Sequence, residues 1–190
     1  MSLPVPDFVV TNCVEKASEF VARHLSVVVK SLGKGYIVTK GKNLKLYTRR
    51  LATLDPSTLK SLRLGPAIIQ REVVRRHEVR VTVVGNQAFP VAIDCSDLPE
   101  GLVDIRQLDF ESNRHRFSDT AIDLSRIMSW SLDFVKEIGL SYAGIDWVVS
   151  HDGTPYFLEC NPLGAFKWYE IVGGHDITCA ISKLIMSRTK

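Results

Sequence analysis

Three residues near the C-terminal end carry the strongest chemical signal: Asp146, Glu159 and Asn161. The stretches Ala143–Val149 and Tyr156–Cys160 are apolar and β-forming, and Asp152-Gly153 lies between them, so they predict a hairpin with a two-residue turn. That turn pairs His151 with Thr154 and sets Asp146 directly opposite Glu159 on one face. Asn161 follows two residues later on the same face, while Leu158 and Cys160 point the other way, into a core. Like charges directly opposite each other destabilise a sheet, so something cationic must compensate. Two carboxylates and an amide oxygen form an all-oxygen donor set that suits magnesium, with phosphates and water completing its octahedron. The structural alternative is a surface acid at Asp146 and a Glu159 paired with a nearby Lys or Arg. The apolar neighbours Trp147, Val148, Phe157 and Leu158 favour an interior hairpin, where isolated acids need partners.

Basic residues recur at element ends and within strands. Lys30 closes the β-branched run Ser26–Lys30, which positions it more firmly than a loop would. Gly33, Lys34 and Gly35 follow, and glycines let backbone amides approach a phosphate closely. The spacing is neither a P-loop nor a dinucleotide fingerprint; by itself it also fits an edge-strand lysine beside a flexible turn. Arg80 stands in the strand Val79–Val84 with Glu78 on its face; a charge there meets an acid or an anionic ligand. Arg71, Arg75, Arg76 and His77 read as a solvated basic face. Asp104 and Arg106 lie in the polar, irregular stretch from Cys95 to Ser118, which reads as a binding loop. The five histidines show no ligand spacing.

These residues need elements to hold them. A first helix is expected after a cap at Thr11 or Asn12, with Val14, Ala17, Phe20, Val21 and Leu25 on its apolar face. Tyr36–Thr39 and Leu44–Thr48 read as strands joined across Gly41-Lys42-Asn43, and Asp55-Pro56-Ser57-Thr58 as a short capped helix. Ala67–Val74, Val79–Val84 and Ala88–Ile93 read as strands, the last two joined at Gly85-Asn86. A long helix capped by Ser118 or Asp119 runs to about Ile138 and stops at Gly139. Its apolar face includes Ile122, Ile127, Trp130, Leu132 and Phe134. A final helix covers about Asp176–Met186. Turn residues at Leu64-Gly65-Pro66 suggest two lobes, 1–65 and 66–190.

Composition narrows the classes. The chain has 190 residues, 45% hydrophobic and 24% charged, with 24 Lys and Arg against 21 Asp and Glu. That is globular rather than disordered. A net charge of +3 without basic–aromatic interleaving argues against a nucleic-acid binder. Four dispersed cysteines, no signal peptide and no long apolar run imply reduced thiols, a cytoplasmic location and no membrane span.

The segments VVVKSLGKG (Val27–Gly35), IIQREV (Ile68–Val73), HEVRVTVVG (His77–Gly85) and AGIDWVVSHDGTPYFLECNPLGAFKWYE (Ala143–Glu170), in this order, resemble the ATP-grasp fold. The likeness is to the branch of ribosomal-protein glutamate ligases and microviridin-type (graspetide) peptide maturases, and LECNPLGAFKWYE looks most like the maturases. It runs from Pro6 to the last helix. The resemblance implies an α+β fold in which two lobes, each an antiparallel sheet with helices, clasp a nucleotide. Lys30 then corresponds to the lysine on the nucleotide phosphates, and the Gly33–Gly35 loop with Lys34 to the flap over them. Gln70, Arg71, Glu72 and Val73 match the hinge that meets the adenine and ribose, with Glu78 close to the nucleotide. Arg80 matches the arginine on transferred phosphate, Asp146, Glu159 and Asn161 match the magnesium ligands, and Asp104 with Arg106 resembles an acid–arginine pair on the acceptor side.

The implied cofactors are ATP and Mg2+, and the implied chemistry joins a carboxylate to an amine or hydroxyl through an acyl-phosphate, in peptide maturation. The implied partner is a peptide or protein carboxylate substrate; homodimerisation is left open. A glutamate or amino-acid ligase acting on a protein tail or small molecule is the alternative inside the fold, and a non-catalytic nucleotide-binding domain the alternative outside catalysis. The branch also implies a further domain before Pro4, so the 190 residues read as the nucleotide-clasping part of a longer enzyme and as poorly active alone. The branch often has asparagine where Leu163 stands, and Phe166-Lys167 is an unfamiliar filling there.

Overall fold

The computed structural model describes residues 2–33, 36–39, 41–51, 58, 61–99, 101–109, 111–117 and 122–188. Lys34, Gly35, the expected helix caps Ser118 and Asp119, and most of the expected turn at Asp55 lie outside the described residues. The chain forms two compact units. The first comprises Pro6–Val73 with Leu98–Asp109; the second comprises Met1–Val5, Val74–Asp97 and Phe110–Lys190.

The first unit is built on a four-stranded antiparallel sheet, ordered β1 (Phe8–Thr11), β6 (Ala67–Arg71), β2 (Val27–Ser31), β5 (Arg49–Arg50). Because β6 pairs with both β1 and β2, the turn at Gly65-Pro66 lies inside this unit, which continues to Val73. The short edge strand β1 has no two-residue alternation to announce it. Helix α1 (Val14–Ala22) buries Ala17 and Phe20 against Val27, Leu62 and Ile69. Thr11 does not cap it; its hydroxyl accepts from the Cys13 amide at 2.9 Å in a turn leading in. Leu25 lies beyond the helix end and is exposed. Strands β3 (Tyr36–Thr39) and β4 (Lys42–Lys45) form a separate hairpin whose turn is one step earlier than expected, with Gly41 at φ 75°. That positive φ favours glycine at the turn.

The second unit carries the antiparallel sheet β10 (Pro155–Asn161), β9 (Tyr142–Ser150), β7 (Arg75–Val84), β8 (Gln87–Asp94). Val79, Val81 and Val83 share the buried face with Ile145 and Trp147 from β9. Helix α2 (Ser125–Glu137) covers that face with Ile127 and Val135. It begins later than expected, where Asp123 accepts from the Ser125 amide at 2.9 Å, and stops before Gly139 at φ 73°. Between Ile127 and Val135, one turn from each, sits a polar residue, Ser131. Its fully buried hydroxyl donates to the Ile127 carbonyl at 2.7 Å and accepts from Trp147 Nε1 at 3.0 Å. Helices α3 (Lys167–Gly173) and α4 (Ile177–Arg188) complete the unit, with Ile177 and Ala180 packed on Val84. Among the described residues no helix is long and apolar enough to cross a membrane.

Glu170 joins α3 to α4. Its carboxylate accepts from Lys167 Nζ at 2.6 Å, from the Thr178 amide at 2.7 Å and from the Thr178 hydroxyl at 2.8 Å. Lys167 first, then Thr178, holds its carboxyl down at about 2.

Two outcomes follow for stability. Ser131→Ala leaves the buried Trp147 N–H without its acceptor, and chemical denaturation should show a loss of about 1–3 kcal/mol. For Glu170 the folded pKa lies below the unfolded value of about 4.3, so its contribution is full above that pH and is lost as pH falls toward about 2. The melting-temperature gap between wild type and Glu170→Gln should therefore shrink on acidification through that window; a gap that widens would contradict the assignment.

Candidate functional site

Arg80, Asp146 and Glu159 stand in one row across three adjacent strands. The register pairs Arg80 with Asp146 and Asp146 with Glu159. It arises differently from the expected two-residue turn. Ser150, not His151, pairs with Thr154, its amide donating to the Thr154 carbonyl at 3.0 Å. The strands then run out of step until a bulge between Phe157 and Glu159 restores the Asp146–Glu159 pairing. The bulge also changes which residues face inward: Phe157 and Cys160 pack on the core, and Leu158 is the extra residue. A bulge adds one residue to one strand, so the alternation read along the sequence reverses there.

The compensating cation is Arg80. Its Nε lies 2.7 Å from Asp146 Oδ1, with side chains 13% and 24% exposed. The pair is an ion contact rather than an aligned hydrogen bond, and among the described residues neither Nε nor Nη1 of Arg80 has a hydrogen-bond partner. The guanidinium rests over the Tyr169 ring, 5.0 Å from its centroid. Two glycines make room for it. A Cβ on Gly144 would overlap Arg80 Nη1, and one on Gly164 would lie 3.0 Å from the same atom. Tyr142, whose hydroxyl donates to the Gly164 carbonyl, fixes the second glycine.

These contacts set the electrostatics. Burial opposes the charge on Arg80, but Asp146, Tyr169 and Glu159 outweigh it and hold the guanidinium above its ordinary value. Burial raises the Asp146 carboxyl well above the usual carboxylate range; Arg80 opposes the shift and Glu159 adds to it. A second cation between the two facing acids would favour the charged form of Asp146. The oxygen-rich pair with Asn161 therefore fits a hard divalent ion, and the orphaned Nη1 fits an anion. Asn161 already accepts from the Leu163 amide through Oδ1 at 3.0 Å, which leaves one lone pair on that oxygen. Among the described residues no cluster of three or more His, Cys, Asp and Glu could hold a metal. A metal on Asp146, Glu159 and Asn161 would need ligand or water oxygens as well.

The remaining expected residues fall as follows. Glu78 shares the Arg80 face and meets Arg75, Oε1 to Nε, at 3.0 Å. In the first unit, Lys30 Nζ donates to Oε1 of the buried Gln70 at 2.7 Å. The Arg71 amide donates to the Asp7 carbonyl at 2.8 Å. Glu72 accepts from Ser26 and, through two oxygens, from Arg50 at 2.6 and 2.7 Å. Val73 closes that unit, and Gly33 is an exposed bend with open space where a Cβ would be. Asp104 is buried and serves the loop: it accepts from Arg106 Nε at 2.8 Å and from the Thr48 amide at 2.8 Å. Arg106 remains half-exposed beside the Tyr47 ring.

Sequence reasoning missed Gly144, Gly164, Tyr142 and Tyr169. Gly144 carried a signal, since a glycine inside a strand marks a close approach. Tyr169 carried none, because an aromatic on a short helix reads as core.

No profile of a known protein family matches the chain. A curated D-alanine–D-alanine ligase of Lactiplantibacillus plantarum is 30% identical over 186 residues, covering 87% of this chain and 47% of the relative. Among solved structures, a Chryseobacterium gregarium RiPP-associated ATP-grasp ligase, in complex with ADP and a leader and core peptide, superposes with a TM-score of 0.85 at 25% identity. It is covered over 56% of its length by 98% of this chain. The macrocyclase MdnC of Microcystis aeruginosa, bound to precursor peptide MdnA, gives a TM-score of 0.75 at 26% identity, with 98% of this chain and 56% of that one covered. The chain has the ATP-grasp fold. Its similarity extends to a RiPP-associated ATP-grasp ligase and to a macrocyclase, and it spans about half the length of the relatives it matches.

Gly144→Ala tests the seat of Arg80. The overlap falls on the far end of a flexible side chain rather than on backbone, so the variant should fold, with a melting temperature modestly lowered as the Arg80–Asp146 contact loosens. With Arg80 taken as a nucleotide contact, the role proposed below, displacing the guanidinium should weaken ADP affinity in calorimetry by roughly tenfold; an unchanged affinity would contradict that role.

Proposed function

We propose that the protein is an ATP- and magnesium-dependent ligase that joins a carboxylate to an amine or hydroxyl through an acyl-phosphate, acting on a ribosomally made peptide. The observation that carries this reading is the Arg80–Asp146–Glu159 row, with an orphaned guanidinium nitrogen beside two facing carboxyl groups. Such a row is costly in a sheet unless it serves charged ligands. The peptide substrate is supported by the maturase-like relatives at 25% and 26% identity.

Each unit has a proposed share. In the second, Asp146, Glu159 and Asn161 would hold Mg2+, which when bound screens phosphate charge and orients its oxygens. Arg80 offsets negative charge that develops on the transferred phosphoryl group. Tyr169, Gly144 and Gly164 keep its guanidinium in place and leave Nη1 without a hydrogen-bond partner among the described residues. In the first unit, Lys30 is proposed as a phosphate contact, steadied by Gln70. Gln70, Arg71, Glu72 and Val73 are proposed to meet the base and ribose, Glu78 to lie close to the nucleotide, and the loop Gly33, Lys34, Gly35 to cover the phosphates. Asp104 and Arg106 are proposed for the acceptor side; the Asp104 carboxylate is saturated by its loop, which leaves the half-exposed Arg106 as the contacting member. The D-alanine–D-alanine ligase relative favours a second reading, an amino-acid ligase with a small acceptor.

Calorimetric titration of the chain with ATP, with and without magnesium, tests the assignment. Affinity should rise at least roughly tenfold with the metal, and Asp146→Asn with Glu159→Gln should abolish that gain. Binding indifferent to magnesium would overturn it.

A further inference from the structure

The second unit holds a second polar site, on the helix-covered face of the sheet and away from the Arg80 row. An open cavity of about 890 Å3 is lined there by residues from β7, β8, the β9–β10 turn, the start of α2 and the segment around Arg116. Its volume lies in the range of small-ligand pockets, about 300–1,000 Å3.

The local backbone turns polar groups toward it. The β7–β9 register slips between Arg75 and His77, so Arg76 is the extra residue of a bulge, and both Arg76 and His77 line the cavity. Bulges re-aim side chains in this way. The expectation of a solvated basic face at these positions therefore fails for His77, which is 8% exposed. Its Nδ1 is buried with no hydrogen-bond partner among the described residues. Burial holds the ring below its ordinary value, with Asp94 opposing and Arg76 and His151 adding to the shift; an imidazole in its neutral form offers one N–H and one lone pair.

The wall carries three arginines, Arg76, Arg116 and Arg126, and three acids, Asp94, Asp97 and Asp123. The acids are engaged locally: Asp97 with Arg116, Asp94 with the Ser96 amide at 2.9 Å, and Asp123 with the Ser125 amide at 2.9 Å. Arg76 and Arg126 are exposed and form no ion pair among the described residues. Arg126 stacks on Trp130 at 4.8 Å, an arrangement that occupies the guanidinium face and leaves its N–H edge available. Two cations with open donors, beside a buried imidazole that lacks a partner, define the ligand's chemistry.

We propose that this cavity binds an oxyanion, a carboxylate of an acidic peptide segment or a phosphate group, on Arg76, Arg126 and the imidazole of His77. The site is independent of the nucleotide reading, since none of its residues belongs to that site.

The test follows the imidazole 15N resonances of His77 and His151 while the chain is titrated with a capped tetraglutamate peptide and, separately, with inorganic phosphate. At least one probe should shift both resonances saturably, with Kd below about 1 mM. Arg76→Gln with Arg126→Gln, two exposed positions, should raise that Kd at least roughly tenfold while circular dichroism stays unchanged. Lys30→Met should leave it unaltered. Response to the peptide alone, to phosphate alone or to both supports the site and assigns the source of the oxyanion. No saturable shift with either probe, a Kd indifferent to the double variant, or a Kd that follows Lys30→Met would overturn it.

Discussion

Two carboxylates facing each other across neighbouring strands, with one guanidinium to answer them, are the constraint from which the rest of the second unit follows. Asp146 cannot sit opposite Glu159 without a cation, and the pairing of β7 with β9 supplies Arg80 at that step. Burial drives the Asp146 carboxyl upward in pKa, and Arg80 alone does not offset burial together with the facing Glu159. The arrangement is unfavourable as structure and useful for the chemistry proposed: a divalent ion and an anion bound together would stabilise it.

Much of the packing serves to keep Arg80 in place while leaving its Nη1 without a partner among the described residues. Gly144 and Gly164 remove the side chains that would collide with its guanidinium, and Tyr169 supports the planar group from its face. A conventional donor–acceptor network would have pinned Arg80 equally well, but it would have consumed the nitrogen that an oxyanion needs. Beneath this row the valine-rich face of β7 and the Ser131–Trp147 hydrogen bond hold the sheet against α2. The charged face thus rests on a rigid layer rather than on loops.

The sequence made the strands, the helix faces and the acid pair legible, because two-residue and helical periodicities survive in short windows. Asp146 and Glu159 were placed opposite each other through a turn one residue too short, and the Leu158 bulge made up the difference. Bulges leave no mark in composition, which is why the inward residues Phe157 and Cys160 were misjudged as Leu158 and Cys160. The same blindness hid the Arg76 bulge, and with it the burial of His77. The carboxylates of Glu72 and Asp104 also hold Arg50, Ser26 and Thr48, contacts that spacing does not announce because the partners are distant in sequence. The turn at Gly65-Pro66 looked like a boundary because turn residues mark loops, not the strand pairing that continues past them.

The central claim is that Asp146, Glu159 and Asn161 share one divalent ion beside Arg80. Crystals of the chain grown with ADP and manganese test it directly through anomalous scattering. The account predicts a single strong peak at coordination distance, about 2.0–2.2 Å, from oxygens of all three side chains, with a phosphate oxygen in the same shell. Manganese held elsewhere, or nucleotide bound with no metal on these oxygens, would contradict it.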